Sequence, residues 1–285
     1  MRVTSVLSAI LGAACAGALA LSTPARAEPE RIRLPGSDVV LAAVLYKPEG
    51  PGPFPAVVAL HGCGGLFLRN GKVSPRDEDW GERLAAQGFA VLMPDSYGPR
   101  AVGPQCRNRD RTVRPSAQRQ ADAHAARRWL QSQPFVKPEA VSLMGWSNGA
   151  ATTLYAIKDS KTSRAAMGDG PDFARAVAFY PGCRALAARG GYKPRVPLLI
   201  LMGENDDWTP VESCRRLVEQ AKAAGRTATL VAYQGAVHDF DSPGAPVVTR
   251  RGLAFTASDT GEAQAGTDPA GREDAIARVP AFLAR

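Results

Sequence analysis

Histidine is scarce in this sequence. Only three occur among 285 residues, His61, His124 and His238, so chemistry that needs an imidazole has few candidates. The sequence also lacks a C-x-x-C pair and the Cys/His spacing typical of a structural metal site. The glycine-rich segments at 62–67 and 71–73 match neither the dinucleotide-binding pattern G-x-G-x-x-G nor the P-loop pattern. We therefore expect no metal ion and no cofactor.

Acidic residues are fewer than basic ones, 27 against 35, which gives a net charge of +8. The excess is most visible in one predicted loop, between a strand near 89–93 and a helix over 118–131, which contains Arg100, Arg107, Arg109, Arg111, Arg114 and Arg119. No aromatic residues interleave with these arginines, which argues against nucleic-acid binding. A solvated loop is the simpler interpretation, and a rim that attracts an anionic substrate is the alternative.

A long hydrophobic run occurs only at the N-terminus, over residues 6–21. The run is diluted by small residues and is short for a membrane span of about 20 residues. Arg2 precedes it, and Ala25-Arg26-Ala27 follows it as an A-x-A cleavage pattern. We expect residues 1–27 to be a signal peptide that is cleaved after Ala27, with one domain over 28–285. This predicts a periplasmic or secreted protein without stable membrane insertion; a membrane anchor is the alternative.

The pentapeptide Gly145-Trp146-Ser147-Asn148-Gly149 has the form G-x-S-x-G. It follows an apolar run at 141–144 and precedes a segment of small residues at 150–154, so a strand, a sharp turn and a helix are predicted in that order. Such a turn exposes the serine hydroxyl above the sheet as a nucleophile. The pattern alone is weak, because an ordinary turn between a strand and a helix can match it.

A serine nucleophile needs a base, and in enzymes built on this turn the chain order is serine, acid, histidine. His238 is the one histidine after Ser147, while His124 falls inside a predicted helix, where packing explains it better. The apolar run at 196–202 predicts a buried strand that ends near three acids. Among them Asp206 is the preferred partner of His238, Asp207 competes with it, and Glu204 comes third. We expect the other aspartate to cap the helix that begins near Pro210.

Besides the serine, the histidine and the acid, a fourth part of the predicted site follows the strand at 56–60. There His61 leads into the glycine-rich turn at 62–65. Backbone N–H groups of such a turn can stabilise an oxyanion together with the amide that follows the nucleophile. These two donors are predicted to be the amides of Cys63 and Asn148. We expect the ring of His61 to brace the loop.

Together, HGCGG, GWSNG, GENDDWTP and AVHDF resemble the α/β-hydrolase superfamily, and within it the dienelactone hydrolase-like family. The resemblance extends from about residue 30 to the end of the chain. It implies a serine hydrolase that cleaves a small-molecule carboxylic ester through Ser147, His238 and Asp206, without a cofactor. Two departures put dienelactone itself in doubt as the substrate. The family nucleophile is cysteine, not serine, and the family has a glutamate where this chain has His61. A peptidase or amidase with the same residues, or a binding protein on this fold, are the alternatives.

Strands and helices alternate along most of the chain, which predicts an α/β fold with a mostly parallel sheet and helices on both faces. The first two strands, near 31–34 and 39–46, form an antiparallel start. Helices are predicted at 77–87, 118–131, 148–158, 211–224 and 270–284. Residues 180–196 leave too little chain for a large lid, so we expect a shallow pocket. Its walls, and the candidate substrate-binding residues, are Trp146, Trp208 and the loop at Arg100.

Four cysteines remain after removal of the signal peptide, and an even number in an oxidising compartment favours two disulfides. Three pairings are possible. We expect Cys63 to pair with Cys106, because both lie on loops that leave neighbouring strands. Cys183 then pairs with Cys214.

Overall fold

A twisted sheet of eight strands organises the computed structural model, which describes Met1 and residues 29–285. Along the sheet the order is β1-β2-β4-β3-β5-β6-β7-β8. The strands are β1 Glu30–Pro35, β2 Val40–Tyr46, β3 Phe54–Leu60, β4 Ala90–Asp95, β5 Val136–Trp146, β6 Ala176–Phe179, β7 Leu198–Gly203 and β8 Ala228–Tyr233. A separate two-stranded ribbon joins β9 Val248–Arg250 to β10 Ala263–Ala265.

Only β2 runs against the other strands of this sheet. β2 pairs antiparallel with both β1 and β4, and every pairing from β4 onward is parallel. The mostly parallel sheet with an antiparallel start is confirmed. Every residue of β4 and β7 is buried, which explains why β7 is apolar throughout and β4 is apolar up to its last residue, Asp95.

Seven α-helices connect or flank these strands: α1 Pro75–Ala86, α2 Gln118–Gln131, α3 Asn148–Ala156, α4 Lys161–Met167, α5 Arg184–Arg189, α6 Val211–Ala223 and α7 Pro269–Leu283. The two short helices α4 and α5 were not predicted. α1 begins two residues earlier than expected, because Ser74 caps it and Pro75 occupies its first turn. In α7, Asp268 accepts from the amide of Gly271 at 2.6 Å and caps the helix in the same way.

Between β6 and β7 the chain forms only the six-residue helix α5, so this segment contributes no large lid. Two disulfides tie loops to this frame, Cys63–Cys106 and Cys183–Cys214, and these are the pairs expected from the sequence. The first holds the loop after β3 against the arginine-bearing loop before α2. The amide of Gln105 strengthens this contact by donating to the carbonyl of Cys63 at 2.7 Å.

The expected signal peptide and its cleavage site lie outside the described residues. Among residues 29–285, no helix is long and apolar enough to cross a membrane. The same part of the chain contains no group of three or more His, Cys, Asp or Glu side chains that could hold a metal ion.

Candidate active site

Ser147 occupies a strained turn between β5 and α3. Its φ of 51° and ψ of −110° lie in a region that a non-glycine residue rarely adopts. The neighbouring glycines are required by crowding: a Cβ on Gly149 would lie 2.1 Å from the carbonyl oxygen of Leu60, and one on Gly145 would lie 2.5 Å from the backbone of Gly149. The two glycines of the G-x-S-x-G pattern are therefore needed because the backbone of this turn packs closely against itself and against β3.

His238 and Asp206 lie in line with this serine. The Nε2 atom of His238 is 3.1 Å from the Oγ atom of Ser147, and its Nδ1 atom is 2.8 Å from Oδ2 of Asp206. An ionised carboxylate only accepts hydrogen bonds, so Nδ1 carries the proton and Nε2 is free to accept from the serine hydroxyl. The structure thus brings the three residues together in the geometry of a nucleophile, a base and an orienting acid.

The carboxylate of Asp206 is itself fixed by three donors. Its Oδ1 atom accepts from the amides of Trp208 and Thr209, at 2.9 and 2.8 Å, and its Oδ2 atom accepts from the Thr209 hydroxyl at 2.9 Å. The competing acids lie elsewhere, because Asp207 accepts from the amide of Gln264 and Glu204 pairs with Arg215. The expectation that the second aspartate caps α6 is wrong. The residue at that cap is Pro210, and no side chain bonds there.

Two opposing effects set the basicity of His238. Burial disfavours the charged imidazolium, but the negative charge and the hydrogen bond of Asp206 more than offset it, so the pKa of His238 is raised above its usual value. Aromatic rings enclose the imidazole on two sides, with ring centroids 4.5 Å away for Tyr180 and 4.6 Å for Trp208. The imidazole is therefore both oriented and kept from water.

The backbone amides of Cys63 and Asn148 flank the serine, and within residues 29–285 neither donates to a protein acceptor.

Arg119 contacts both of the segments that carry these amides. One of its terminal nitrogens bonds the side-chain oxygen of Asn148, and the other donates to the carbonyl of His61 at 2.7 Å. Arg119 is fully buried, whereas the sequence placed it among the solvated arginines of the loop. Only its position in the first turn of α2, facing the sheet, could have signalled this role.

His61 has the bracing position that its sequence context predicts. Its Nε2 atom accepts from the amide of Ser96 at 3.2 Å, so its Nδ1 atom carries the proton and donates to the carbonyl of Gly62 at 2.8 Å. Burial and the nearby charge of Arg119 hold the pKa of His61 well below the usual range. A neutral ring thus links the glycine-rich turn at 62–65, the predicted oxyanion loop, to the end of β4.

Trp146 is a correction to the predicted pocket wall. It is completely buried, and its Nε1 donates to Oδ2 of Asp241 at 2.8 Å. The same carboxylate accepts from Trp80 Nε1 at 2.8 Å and from the Tyr180 hydroxyl at 2.6 Å. Trp146 is the last residue of β5, and its ring packs in the core against Trp80 and Phe179. Asp241, which the sequence analysis missed, ties the histidine loop to the strand before the nucleophile.

Arg100 is the second correction. Its guanidinium binds both oxygens of the buried Asp122 and also pairs with Asp38. These bonds anchor the start of the arginine-bearing loop to α2 and to the turn before β2. With its charge fully paired there, Arg100 lines neither of the cavities at Ser147.

Two cavities open at the nucleophile instead of one shallow pocket. The first, lobe 1, has a volume of about 540 Å³ and extends along α3 and α5. The second, lobe 2, has a volume of about 820 Å³ and lies between the oxyanion loop and the segment 238–253. Cys63, Ser147 and Trp208 line both lobes. Trp208 is thus the one of the three candidate substrate-binding residues that the structure places at the cavity walls.

A model of the dienelactone hydrolase family matches residues 41–285. The chain belongs to this family. Membership makes the protein a carboxylic ester hydrolase with a small-molecule substrate. The family resemblance seen in the sequence is therefore confirmed.

The curated relatives are distant. A Methylorubrum extorquens protein with a provisional assignment as a carboxymethylenebutenolidase is 26% identical, over 73% of this chain and 71% of its own length. The uncharacterised peptidase YuxL of Bacillus subtilis is 23% identical over 76% of this chain, which spans only 36% of the length of that relative.

Solved structures share the fold. Thermogutta terrifontis esterase 2, seen phosphoramylated by tabun, has a TM-score of 0.64 and 21% identity over 92% of this chain and 96% of its own. A provisionally assigned dienelactone hydrolase from Klebsiella pneumoniae has a TM-score of 0.63 and 19% identity, over 90% of this chain and 98% of its own. At these identities the likeness establishes the α/β-hydrolase fold.

Proposed function

We propose that this family member is a serine esterase that works through an acyl-enzyme. The observation that carries the proposal is the alignment of His238 between Ser147 and Asp206, at 3.1 and 2.8 Å. Ser147 attacks the ester carbonyl carbon while His238 takes the hydroxyl proton. His238 then gives this proton to the leaving alkoxide, and Asp206 stabilises the transient imidazolium.

Two backbone amides receive the negative charge that develops on the carbonyl oxygen. Within residues 29–285 the amides of Cys63 and Asn148 donate to no protein acceptor, so they need not break a bond there to serve. In the second half of the reaction His238 takes a proton from water as the water oxygen attacks the acyl carbon. The bond from that carbon to Oγ of Ser147 then breaks, His238 returns the proton to Oγ, and the acid leaves. General acid–base catalysis typically contributes about 10²–10⁴-fold, and one oxyanion donor about 10²–10³-fold.

Substitution of the nucleophile and the base tests this proposal. Ser147→Ala and His238→Ala are expected to lower kcat for p-nitrophenyl butyrate by at least about 10³-fold with unchanged folding. Ser37→Ala, at an exposed turn, is the matched control and keeps full activity. Turnover by Ser147→Ala within tenfold of wild type would rule out the acyl-enzyme.

A peptidase activity is the second candidate, because the matched relative YuxL is named as a peptidase. The same residues can expel an amine, so substrate preference has to be measured. Comparison of p-nitrophenyl butyrate with butyryl p-nitroanilide separates the two, and an esterase cleaves the ester at least about 10²-fold faster in kcat/KM.

The proposed location outside the cytoplasm is based on the N-terminal sequence and the two disulfides. Two disulfides suggest an extracellular or periplasmic protein. We propose that residues 1–27 direct export and are removed after Ala27, so that the mature domain is 28–285. Intact mass of the exported protein is expected to correspond to a chain that begins at Glu28. A mass that retains residues 1–27 would contradict this.

A further inference from the structure

We infer that the two lobes divide the ester, with the acyl chain in lobe 1 and the alcohol in lobe 2. The inference rests on the proposed serine esterase function. It assigns a substrate class, an apolar acid esterified to a polyhydroxylated alcohol such as a sugar. Acylation then breaks the bond between the carbonyl carbon and the alcohol oxygen, and the alcohol leaves from lobe 2 with the proton from His238.

The orientation of the ester in the two lobes follows from the positions of His238 and Asn148. His238 lines lobe 2 and is not among the residues of lobe 1, while Asn148 lines lobe 1 and not lobe 2. The leaving oxygen must lie within hydrogen-bond reach of the general acid to receive its proton. The alcohol therefore lies on the His238 side. The acyl chain extends the other way, past the amide of Asn148.

The walls of lobe 1 suit an apolar chain. Small side chains on two helices form one side of it, Ala151 on α3 with Ala185 and Ala188 on α5, and Tyr155 and Pro210 add apolar surface. Most of the arginines of this lobe are exposed, so their charges lie at its mouth and not along its inner wall: Arg109, Arg114 and Arg184. The fourth arginine, Arg111, is half-buried, and its Nε donates to the carbonyls of Gln105 and Asn108. A hydrocarbon chain can thus contact the alanine wall without desolvating the three exposed charges.

The inner wall of lobe 2 is polar and offers both hydrogen-bonding roles. Arg76 and Asp239, 3.1 Å apart as an ion pair and both half-buried, line it together with the half-buried Ser74 and Ser242. The guanidinium donates and the carboxylate accepts. A hydroxyl group does both, and the ion pair itself carries no net charge. The other arginines that line lobe 2 are exposed, so their charges lie at its mouth: Arg107, Arg250 and Arg251. Lobe 2 is also the larger cavity, which fits a wide alcohol.

Filling lobe 1 tests the acyl assignment. Ala188 is exposed on α5, so Ala188→Trp narrows lobe 1 without entering the core. We expect this variant to lose at least about tenfold in kcat/KM for p-nitrophenyl octanoate, while p-nitrophenyl acetate changes less than threefold. Arg189→Trp, on the next residue but outside both lobes, is the matched control and leaves both values unchanged.

Filling lobe 2 tests the alcohol assignment. Thr249, exposed on β9, lines this lobe, so Thr249→Trp is expected to slow acylation by a glucose monobutyrate at least about tenfold and by methyl butyrate less than threefold. Decay of the butyryl-enzyme, followed by quenched-flow intact mass, keeps its wild-type rate, because the alcohol has already left. Val247→Trp, two residues away and outside the lobe, is the control.

A wild-type comparison tests the alcohol class itself. Glucose monobutyrate is expected to exceed cyclohexylmethyl butyrate, an apolar ester of similar width, by at least about tenfold in kcat/KM. Equal values would overturn the class. The assignment of the acyl chain to lobe 1 and the alcohol to lobe 2 would be overturned if Ala188→Trp impaired the bulky alcohol and Thr249→Trp the long acyl chain. It would also be overturned if either variant slowed its large and its small substrate equally. Failure of the proposed function is recognised separately, because no butyryl-Ser147 would then form.

Discussion

Arg119 shows how a single side chain can hold the two segments that carry the proposed oxyanion donors. Its two terminal nitrogens contact the segments that carry those donors, through the side chain of Asn148 and the carbonyl of His61. The ring of Tyr97 lies 5.2 Å from the guanidinium and fixes its plane. Arg119 touches no reacting atom, so it acts as a positioning residue.

Replacing the guanidinium of Arg119, which has two terminal nitrogens, by the single ammonium of lysine is expected to impair catalysis more than substrate binding. Arg119→Lys keeps the charge but cannot bridge both segments, so we expect kcat to fall about 10–100-fold while KM changes less than threefold. Steady-state kinetics with p-nitrophenyl butyrate measures the two separately. Arg189→Lys, at an exposed position, serves as control. A rise in KM with unchanged kcat would place Arg119 in substrate binding instead.

The raised pKa of His238 predicts the sign of the pH dependence. The base must be neutral to take the serine proton, and Asp206 favours its charged form, so activity increases with pH through the raised pKa. We expect the acid limb of kcat/KM to have its midpoint above about 6.5, the unperturbed value. A pH–rate profile from pH 4 to 9 measures it. A midpoint in the carboxylate range, near about 4, would exclude His238 as the base.

At the scale of elements, the loop after β3 carries an oxyanion donor and depends on a loop that lies 43 residues further on. The Cys63–Cys106 bridge and the contact of Gln105 with Cys63 are what join them. Because the bridge closes a long loop, its removal frees conformations of the unfolded chain and also releases the donor loop in the folded one.

Cys106→Ala is therefore expected to affect stability and catalysis together. The free energy of unfolding falls by about 2–4 kcal/mol, measured by urea denaturation, and kcat falls as the Cys63 amide loses its fixed position. In denaturant the mature wild-type chain, residues 28–285, is expected to titrate no free thiols with a thiol reagent, and the mature variant one. Unchanged stability and kcat, or four free thiols in the wild type, would show that the bridge does not form.

Sequence patterns predicted elements whose signal is local. The parallel strands, the helix over 118–131 and the elbow at Ser147 all follow from apolar runs, glycine positions or helical periodicity within a short window. Helices α4 and α5, of seven and six residues, are too short for such periodicity. Asp241 gave no signal, because its partners Trp80 and Trp146 lie 161 and 95 residues away.

At the scale of the whole molecule, the active site forms where the carboxyl ends of the parallel strands meet. β3, β5 and β7 each end at this edge and lead into the segments that carry Cys63, Ser147 and Asp206, while the loop after β8 carries His238. The chain order of the candidates was therefore readable in advance. The pair of cavities was not, because their walls combine loops that are distant in sequence: 62–68, 106–116 and 238–259.

The most direct measurement is the site of covalent modification by paraoxon, which phosphorylates the esterase of similar fold from Thermogutta terrifontis. Peptide mapping after treatment of the folded protein is expected to find one diethylphosphoryl group, on Ser147, with loss of esterase activity in proportion. Ser147→Ala takes up none. Full inactivation with the phosphoryl group on another residue, or full esterase activity in protein that carries it on Ser147, would contradict the central claim that this serine is the nucleophile.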